Sequence, residues 1–382
     1  MLKIFVTGDN HIGHQFANKS KGKEMIAERL NAIDRMITKA NEEKCDLFAV
    51  TGDLFHKTDI DGKTVKDVAD RLAKFIKIVA VLPGNHDYYT PQVEVWKTFS
   101  DAISRHGNIK LLNTEEPYAR DNWVIYPAIC NTYDSMRENA LGWIKGESFP
   151  NDGKYRIGMA HGAVEGETPD ENGKYFPMTY DELNGIGVDV WLVGHTHVPF
   201  PRDLTEEFTD IKERKVFNAG THAPADVTEN TEGLGFILEI DENKKIRAKK
   251  FVSGTLPFYR KEIDVSAGRG KLEDILTNEL RGYKDRAYVE IILKGAVSDE
   301  DFEKRYEIID RALERFLDKE YKEGYSNISA MLTKEKILAL CSETTLYADM
   351  LLELLSDQVQ AQMAFDLLTG KDSDNGNKEK KK

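Results

Sequence analysis

The chain has 382 residues, of which 40% are hydrophobic and 31% charged, with a formal net charge of −13. This length allows one large domain and one or two smaller ones, and the composition is that of a globular protein. The acidic charge argues against a protein that binds nucleic acid by itself, because such binding depends on Lys and Arg neutralising phosphates. No apolar run approaches the roughly 20 residues of a membrane-spanning helix, and the N-terminal segment is too short for a secretory signal. We therefore expect a cytoplasmic protein with no membrane partner.

Residues 1–256 alternate between strand and helix patterns. Short apolar runs predict buried strands, and apolar residues spaced three and four apart predict amphipathic helices. In chain order these are strand 2–7, helix 23–41, strand 46–51, helix 64–77 and strand 78–82. Strands that alternate with helices predict a sheet with parallel pairs and crossover helices.

Beyond about Val95 the pattern changes to short strands separated by turn residues. These strands are expected at 109–112, 123–127, 156–159, 190–193, 215–218 and 235–240. A second sheet packed on the first is the natural interpretation, so the predicted fold class is α/β, a two-sheet β sandwich flanked by helices. The polar connection 165–177 is long enough to be a functional lid or binding loop.

The last third of the chain is predicted to form smaller parts. Strand 288–293 and a helix that begins after Ser298 and runs to about Leu317 predict a small α/β domain. Residues 331–368 have a strongly helical pattern with a break near Ser342. The predicted division is a main domain 1–256, a small α/β domain 257–327, a helical segment 328–370 and a disordered tail 371–382.

Five predicted strand ends carry residue types that bind metals. They are Gly8-Asp9-Asn10-His11, Gly52-Asp53, Gly84-Asn85-His86-Asp87, Ala160-His161-Gly162 and Gly194-His195-Thr196-His197. In open α/β sheets, functional groups lie just beyond the carboxyl ends of the strands. Imidazole and carboxylate ligands suit borderline ions such as Mn, Fe and Zn, and the three widely spaced cysteines argue against a thiolate site. A single motif of this kind is more often a solvated loop, but five in this order predict a two-metal site.

In this order the motifs resemble those of the calcineurin-like metallophosphoesterases, which read DxH, GD, GNH(D/E), H and GHxH. The resemblance covers residues 1 to about 222 and implies the phosphoesterase fold with two divalent metal ions, expected to be Mn²⁺, at the strand ends. It implies seven metal ligands: Asp9, His11 and His197 for the first ion, Asn85, His161 and His195 for the second, and Asp53 as the bridge between them. His86 would face the substrate phosphate, and Asp87 would either orient His86 or cap the next turn.

Finer features resemble the SbcD-type DNA repair nucleases. Residues 52–56 read GDLFH, residues 9–13 are similar to DxHLG, and residues 256–260 resemble the (R)PFYR segment at the end of that catalytic domain. The small α/β domain 257–327 matches their DNA-capping domain in position and size and is therefore expected to be a capping domain. The resemblance implies a DNA 3′–5′ exonuclease and single-strand endonuclease. In such an enzyme His86 protonates the leaving oxygen and His56 assists the exonuclease reaction, so both are predicted to be catalytic.

The same resemblance implies partners. Residues 331–368 lie where SbcD-type nucleases carry helices that dock onto the coiled coil of an SMC-like ATPase, SbcC, and such a partner would supply basic surface for DNA. It also implies a homodimer, with 64–77 and 91–106 as candidate surfaces. The alternatives are a small-molecule phosphodiesterase or phosphatase of the same superfamily, a metal-binding scaffold without catalysis, and a helical segment that folds back on its own domain. The acidic charge leaves a chromosomal role and a phage or mobile-element role open.

Overall fold

The computed structural model describes residues 1–135, 138–168, 173–212, 215–229, 231–266, 269–340 and 346–368. The chain forms two compact units, a first from Met1 to Phe258 and a second that begins at Tyr259. The predicted tail from 371 and the predicted break near Ser342 lie outside the described residues, and the predicted domain limits at 256 and 327 stay predictions. Among the described helices, none combines the length and the apolarity needed to cross a bilayer.

The first unit alternates strands and helices and then continues mainly as strands. In chain order its elements are β1 (Leu2–Thr7), α1 (Gly22–Glu42), β2 (Leu47–Thr51), α2 (Gly62–Leu72), β3 (Ile78–Leu82), α3 (Glu94–Ile103), β4 (Ile109–Leu111), β5 (Tyr118–Ala119), β6 (Trp123–Ala128), α4 (Gly142–Lys145), β7 (Tyr155–His161), α5 (Tyr180–Gly185), β8 (Val190–Gly194), β9 (Thr209–Ile211), β10 (Val216–Phe217), β11 (Leu234–Ile240) and β12 (Ile246–Val252). Most of these strands coincide with the apolar runs seen in the sequence.

Two sheets build this unit. The larger has the strand order β4-β3-β2-β1-β11-β12-β9 and the smaller the order β10-β8-β7-β6-β5. Strands β1 to β4 pair in parallel, as do β6, β7, β8 and β10, whereas β11 and β12 pair antiparallel at the other side of β1. The parallel pairs bring the ends of β1, β2 and β3 to one edge of the large sheet, and those of β7 and β8 to one edge of the small sheet.

Side chains on alternate faces of each strand fill different layers. On β1, Ile4 and Val6 pack in the core between the two sheets, where they join Leu192 of β8. Phe5 points to the other face and packs in the layer that contains Met36 of α1. Because successive side chains of a strand point to opposite faces, a strand covered on both sides must be apolar at every position. The predicted class, a two-sheet α/β sandwich flanked by helices, is confirmed.

Helix α2 is shorter than predicted. The periodic pattern continues to Lys77, but the helix ends at Leu72. The side chain of Asn108 donates to the carbonyls of Ala73 and Phe75, at 3.1 Å and 2.5 Å. The last carbonyls of a helix have no hydrogen-bond partner within the helix. Asn108, from a later segment, provides a donor for carbonyls just beyond the end of α2.

The second unit contains a four-stranded sheet and two groups of helices. Its elements are β13 (Phe258–Asp264), α6 (Leu272–Leu280), β14 (Tyr288–Val297), α7 (Asp299–Glu303), α8 (Arg305–Leu313), β15 (Asp318–Tyr321), β16 (Asn327–Ala330), α9 (Lys334–Leu340), α10 (Leu346–Leu354) and α11 (Gln358–Leu368). The Ser298 hydroxyl accepts from the amide of Asp301 at 3.1 Å, so the predicted N-cap is confirmed. The helix that follows it is divided in two at Lys304.

The substitution Gly158→Ala is expected to destabilise the first unit, because the added methyl group would lie 2.3 Å from the buried ring of Trp191. Overpacking of a close-packed core costs about 1–3 kcal/mol. Urea unfolding followed by tryptophan fluorescence measures the loss. Gly142→Ala is the matched control, since a methyl group there meets nothing within 4 Å; equal stability of the two variants would contradict the packing argument.

Candidate metal centre

The loops after β1 and β2 hold their polar residues in a strained backbone. Asp9, His11 and Asp53 have φ angles of 49°, 42° and 51°, a left-handed conformation that costs a residue with a side chain roughly 1–2 kcal/mol. The two loops are joined by hydrogen bonds from the amide of Asp9 to the carbonyl of Gly52 (3.1 Å) and from the amide of His11 to the carbonyl of Asp53 (2.8 Å). Strain of this kind persists where the surroundings fix it, and it is common at functional sites.

Three motif glycines let these loops approach one another. A Cβ at Gly52 would lie 2.1 Å from Nδ1 of His161, and one at Gly84 would lie 2.2 Å from Oδ1 of Asp53. A Cβ at Gly194 would meet the carbonyl oxygen of Thr51 at 2.2 Å. The glycines are therefore required by the close packing of the loops around the site.

The structure brings Asp9, His11 and His197 into one group. One ligand atom from each lies within 4.8 Å of the others. The Nε2 atoms of His11 and His197 are 3.0 Å apart. The Asp9 carboxylate accepts from the amide of His195 at 3.0 Å and 3.2 Å, which ties the end of β1 to the end of β8.

A second group contains Asn85, His161 and His195. Oδ1 of Asn85 lies 3.0 Å from Nε2 of His161 and 3.1 Å from Nδ1 of His195. Nδ1 of His161 lies 2.9 Å from the carbonyl of Thr51 and donates to it. When the His161 ring is neutral, its Nε2 atom therefore carries a lone pair that points toward the centre.

Asp53 lies between the two groups. Its Oδ2 atom is 3.3 Å from Nε2 of His161 and 3.5 Å from Nε2 of His11, and Oδ1 accepts from the amide of His86 at 2.9 Å. Burial alone would lower the pKa of His161, but the adjacent Asp53 carboxylate outweighs it and raises that pKa to about 9. Burial lowers the pKa of His195 to about 3 and holds that of His11 well below its usual value.

These groups fit divalent cations. Nδ1 of His161 is committed to a carbonyl and Nδ1 of His197 to a carboxylate, so both rings direct Nε2 into the cluster, the arrangement typical of metal-binding histidines. Two imidazole nitrogens 3.0 Å apart at His11 and His197 repel unless a proton or a cation lies between them. Neutral imidazole, amide and carboxylate oxygen are ligands for borderline divalent metals.

Both predicted catalytic histidines lie beside this cluster. The rings of His56 and His86 are stacked, with centroids 5.8 Å apart and planes at 19°. The centroid of His11 is 4.9 Å from that of His86 and 5.5 Å from that of His56. Burial, followed by the nearby His14, lowers the pKa of His56 to about 4, and its Nδ1 atom is buried without a hydrogen-bond partner in the structure. All nine predicted site residues are therefore brought together.

Comparison with known proteins identifies the family. The model of the calcineurin-like phosphoesterases matches residues 2–199, a range that contains all five motifs. The chain belongs to the calcineurin-like phosphoesterases. Members of this family hydrolyse phosphoesters and use divalent metals, and the predicted superfamily and fold are thereby confirmed.

Three proteins similar to this phosphoesterase share 12–26% sequence identity with it. The uncharacterized metallophosphoesterase YhaO of Bacillus subtilis (strain 168) is 26% identical over 207 residues, which cover 51% of this chain and 48% of that protein. The chain thus matches about half the length of this curated relative. The crystal structure of TT1561 of Thermus thermophilus is 13% identical with a TM-score of 0.41, covering 66% of this chain and 99% of that one. A second crystal structure is 12% identical with a TM-score of 0.40, covering 65% and 98%.

Asp87 of the phosphoesterase binds backbone. Oδ1 accepts from the amide of Gly84 at 2.6 Å and Oδ2 from the amide of Phe55 at 2.9 Å. Burial, with the nearby Asp53 charge, raises the pKa of Asp87 to about 8. These contacts give Asp87 a structural role that differs from the predicted cap of the next turn, because its carboxylate joins two motif loops.

Glu229 belongs to the centre but carries no signal in the sequence. Its Oε1 atom accepts from Nδ1 of His197 at 2.8 Å, and Oε2 accepts from the amide of Ala225 at 2.6 Å. The Glu229 side chain is 10% exposed. This carboxylate fixes the tautomer and the orientation of the His197 ring, and it lies outside the residues that match the family model.

The substitution Glu229→Ala is expected to weaken divalent-metal binding by about 10- to 100-fold, because His197 would lose the group that orients it. Competition between the protein and a chromophoric chelator for Mn²⁺ measures this affinity without an activity assay. Glu206→Ala is the control, since Glu206 is an exposed glutamate of the same unit. Unchanged affinity in both variants would show that His197 needs no such support or binds no metal.

Proposed function

We propose that this phosphoesterase is an SbcD-type DNA nuclease that hydrolyses phosphodiester bonds in DNA end processing, repair or recombination, together with an SMC-like ATPase. The observation that supports this most is the position of His56. The motif GDLFH that resembles these nucleases ends in His56, and its ring stacks on that of His86 at the edge of the metal centre. A second imidazole at this place provides a further group for a phosphodiester in addition to the metal ligands.

The proposed chemistry divides between ions and side chains. Asp9, His11 and His197 would hold one divalent cation and Asn85, His161 and His195 the other, with Asp53 available to both groups. When bound, two such ions, expected to be Mn²⁺, neutralise charge on the phosphate oxygens and lower the pKa of an attacking water. The protein's own contribution is to fix these ligands by the loop contacts described above.

His86 is the proposed proton donor to the leaving oxygen. Its backbone amide donates to Asp53, so the ring is held at the edge of the cluster and beside His11. A positioned general acid contributes roughly 10²–10⁴ in rate. The His56 ring stacks on that of His86 and limits the orientations that the His86 ring can adopt.

A partner that binds the helices of the second unit would resolve the conflict between DNA binding and the acidic charge. One side of these helices is buried in a small cluster formed by Leu332, Ile337, Ala348, Leu351 and Ala361. Leu346, Met363 and Leu367 are instead 80%, 64% and 71% exposed. Apolar residues on a helical surface are anchors for helix-in-groove recognition. A coiled-coil ATPase that covered them would also supply the basic surface that DNA requires.

A homodimer is the second proposed assembly. Helices α2 and α3, which overlap the candidate surfaces 64–77 and 91–106, pack against each other on the outside of the large sheet. Ile76, just after α2, is 72% exposed. An exposed isoleucine beside a helix pair is consistent with a contact between two copies.

The alternative function is a phosphodiesterase or phosphatase for small molecules. It uses the same centre, and the net charge of −13 favours it over a nuclease that acts alone. The two functions differ in what must lie outside the centre, because a small substrate needs neither a DNA-binding surface nor an ATPase. Activity on a small aryl phosphodiester without activity on DNA would decide for the alternative.

His86→Ser is expected to lower Mn²⁺-dependent digestion of end-labelled DNA by at least about 100-fold, because the leaving oxygen would lose its proton donor. The digestion products resolved on a sequencing gel also give the polarity. His106→Ser is the matched control, a surface histidine that pairs with Asp70. Undiminished digestion by the His86 variant would reveal a contaminating nuclease. If the unaltered protein together with its ATPase left DNA undigested, the nuclease proposal would be refuted.

Leu346→Glu combined with Leu367→Glu is expected to abolish binding to the ATPase without changing the melting temperature, because both side chains are exposed. The probe is the product of a neighbouring open reading frame that encodes Walker motifs around a long coiled coil, and size-exclusion chromatography detects the complex. Glu353→Ala, another exposed position of α10, is the control. A large fall in melting temperature would show that these helices serve the folding of their own unit.

A further inference from the structure

Two tyrosines that belong to no metal-ligand motif lie over the edge of the metal centre. Tyr133 follows β6, and Tyr175 lies in the connection between β7 and α5. The Tyr133 ring is 5.2 Å from that of His86, with planes at 79°. The Tyr175 ring is 5.1 Å from that of His195, with planes at 40°. The two tyrosine rings are 6.0 Å apart and nearly perpendicular, at 87°.

Together these rings form a continuous aromatic border. It runs from His86 through Tyr133 and Tyr175 to His195. The border therefore begins at the proposed proton donor and ends at the second group of ligands. A molecule whose phosphate reached the centre would have its next chemical group beside these rings.

Tyr133 is the exposed part of the border. Its residue surface is 46% exposed, whereas five of the seven predicted ligands, Asp9, His11, Asp53, Asn85 and His161, are buried. Edge-to-face contacts such as those to His86 and Tyr175 hold an aromatic ring in a defined position. Tyr133 thus combines a fixed orientation with a large area that is free to contact a ligand.

We propose that Tyr133, supported by Tyr175, is a stacking subsite for the nucleobase next to the phosphate being hydrolysed. This inference rests on the proposed function in so far as it requires a nucleotide-containing substrate. Aromatic side chains bind bases of any sequence because every base offers a π-face. The subsite identifies the substrate class as nucleotidyl phosphoesters and disfavours phosphosugars, phosphoproteins and other phosphates without an adjoining planar group.

Exposed tyrosines are common on soluble proteins, and Tyr325 is one of them at 70%. Tyr133 differs in its position, because its ring lies against His86 at the edge of the centre. The contact with His86 is retained by a ring alone. Packing therefore requires one face or edge of Tyr133, and the rest of the side chain is available to a base.

Equilibrium binding of dAMP and of inorganic phosphate in the presence of Mn²⁺ tests the proposal, with isothermal titration calorimetry as the measurement. Tyr133→Leu is expected to weaken dAMP binding by about tenfold or more, from the usual strength of base stacking. It should leave the affinity for inorganic phosphate unchanged, because phosphate does not reach the ring. Tyr133→Phe, which keeps the ring, should bind both ligands as the unaltered protein does.

Tyr325→Leu is the matched control, since Tyr325 is a 70% exposed tyrosine of the second unit. An equal loss of dAMP and phosphate affinity in Tyr133→Leu would overturn the subsite and show that Tyr133 only positions His86. Unchanged dAMP binding would overturn it as well.

The outcome separates this inference from the nuclease proposal. If DNA is not digested but dAMP affinity depends on the Tyr133 ring, the stacking subsite is supported and the nuclease proposal is refuted. If DNA is digested and dAMP affinity does not depend on the Tyr133 ring, the nuclease proposal is supported and the stacking subsite is refuted.

Discussion

The Asp53 carboxylate is the contact on which the rest of the centre depends. Oδ2 faces both His161 and His11, and Oδ1 accepts from the amide of His86, so one side chain touches both ligand groups and the proposed proton donor. It is almost fully buried, and an unpaired charge in that position would be costly. The loops can enclose this carboxylate because Asp9, His11 and Asp53 adopt a left-handed backbone conformation and because the motif glycines have no side chain that would clash.

The same arrangement shows why two sheets are needed. Asp53 and Asn85 follow strands of the large sheet, whereas His161 and His195 lie at the ends of strands of the small one. The core between the sheets fixes their separation, since it is close-packed and admits little adjustment. The position of the ligands is therefore a consequence of apolar packing several residues away, and a defect in that packing is expected to loosen the centre.

Much of this was predictable because the relevant signals are local. An apolar run that ends in glycine and a polar residue marks both a buried strand and the group at its end, and parallel pairing then brings such ends together. The contributions of Glu229, Tyr133 and Tyr175 were not predictable, since each comes from a loop whose course depends on the finished fold. The end of α2 was missed for the same reason, because Asn108 reaches it from a later segment.

The ligands alone do not identify the phosphoester on which a centre of this type acts. Selection among phosphoesters also depends on groups just outside the ligand set, where the rings of His56 and Tyr133 both contact that of His86. The acidic chain supplies little attraction for a polyanion, and charge is what governs non-specific DNA affinity. A DNA substrate would therefore have to be held by stacking at the centre and by a basic partner elsewhere. A DNA substrate would therefore depend both on the aromatic border and on a partner bound to the exposed helices of the second unit. A substrate without bases would need neither.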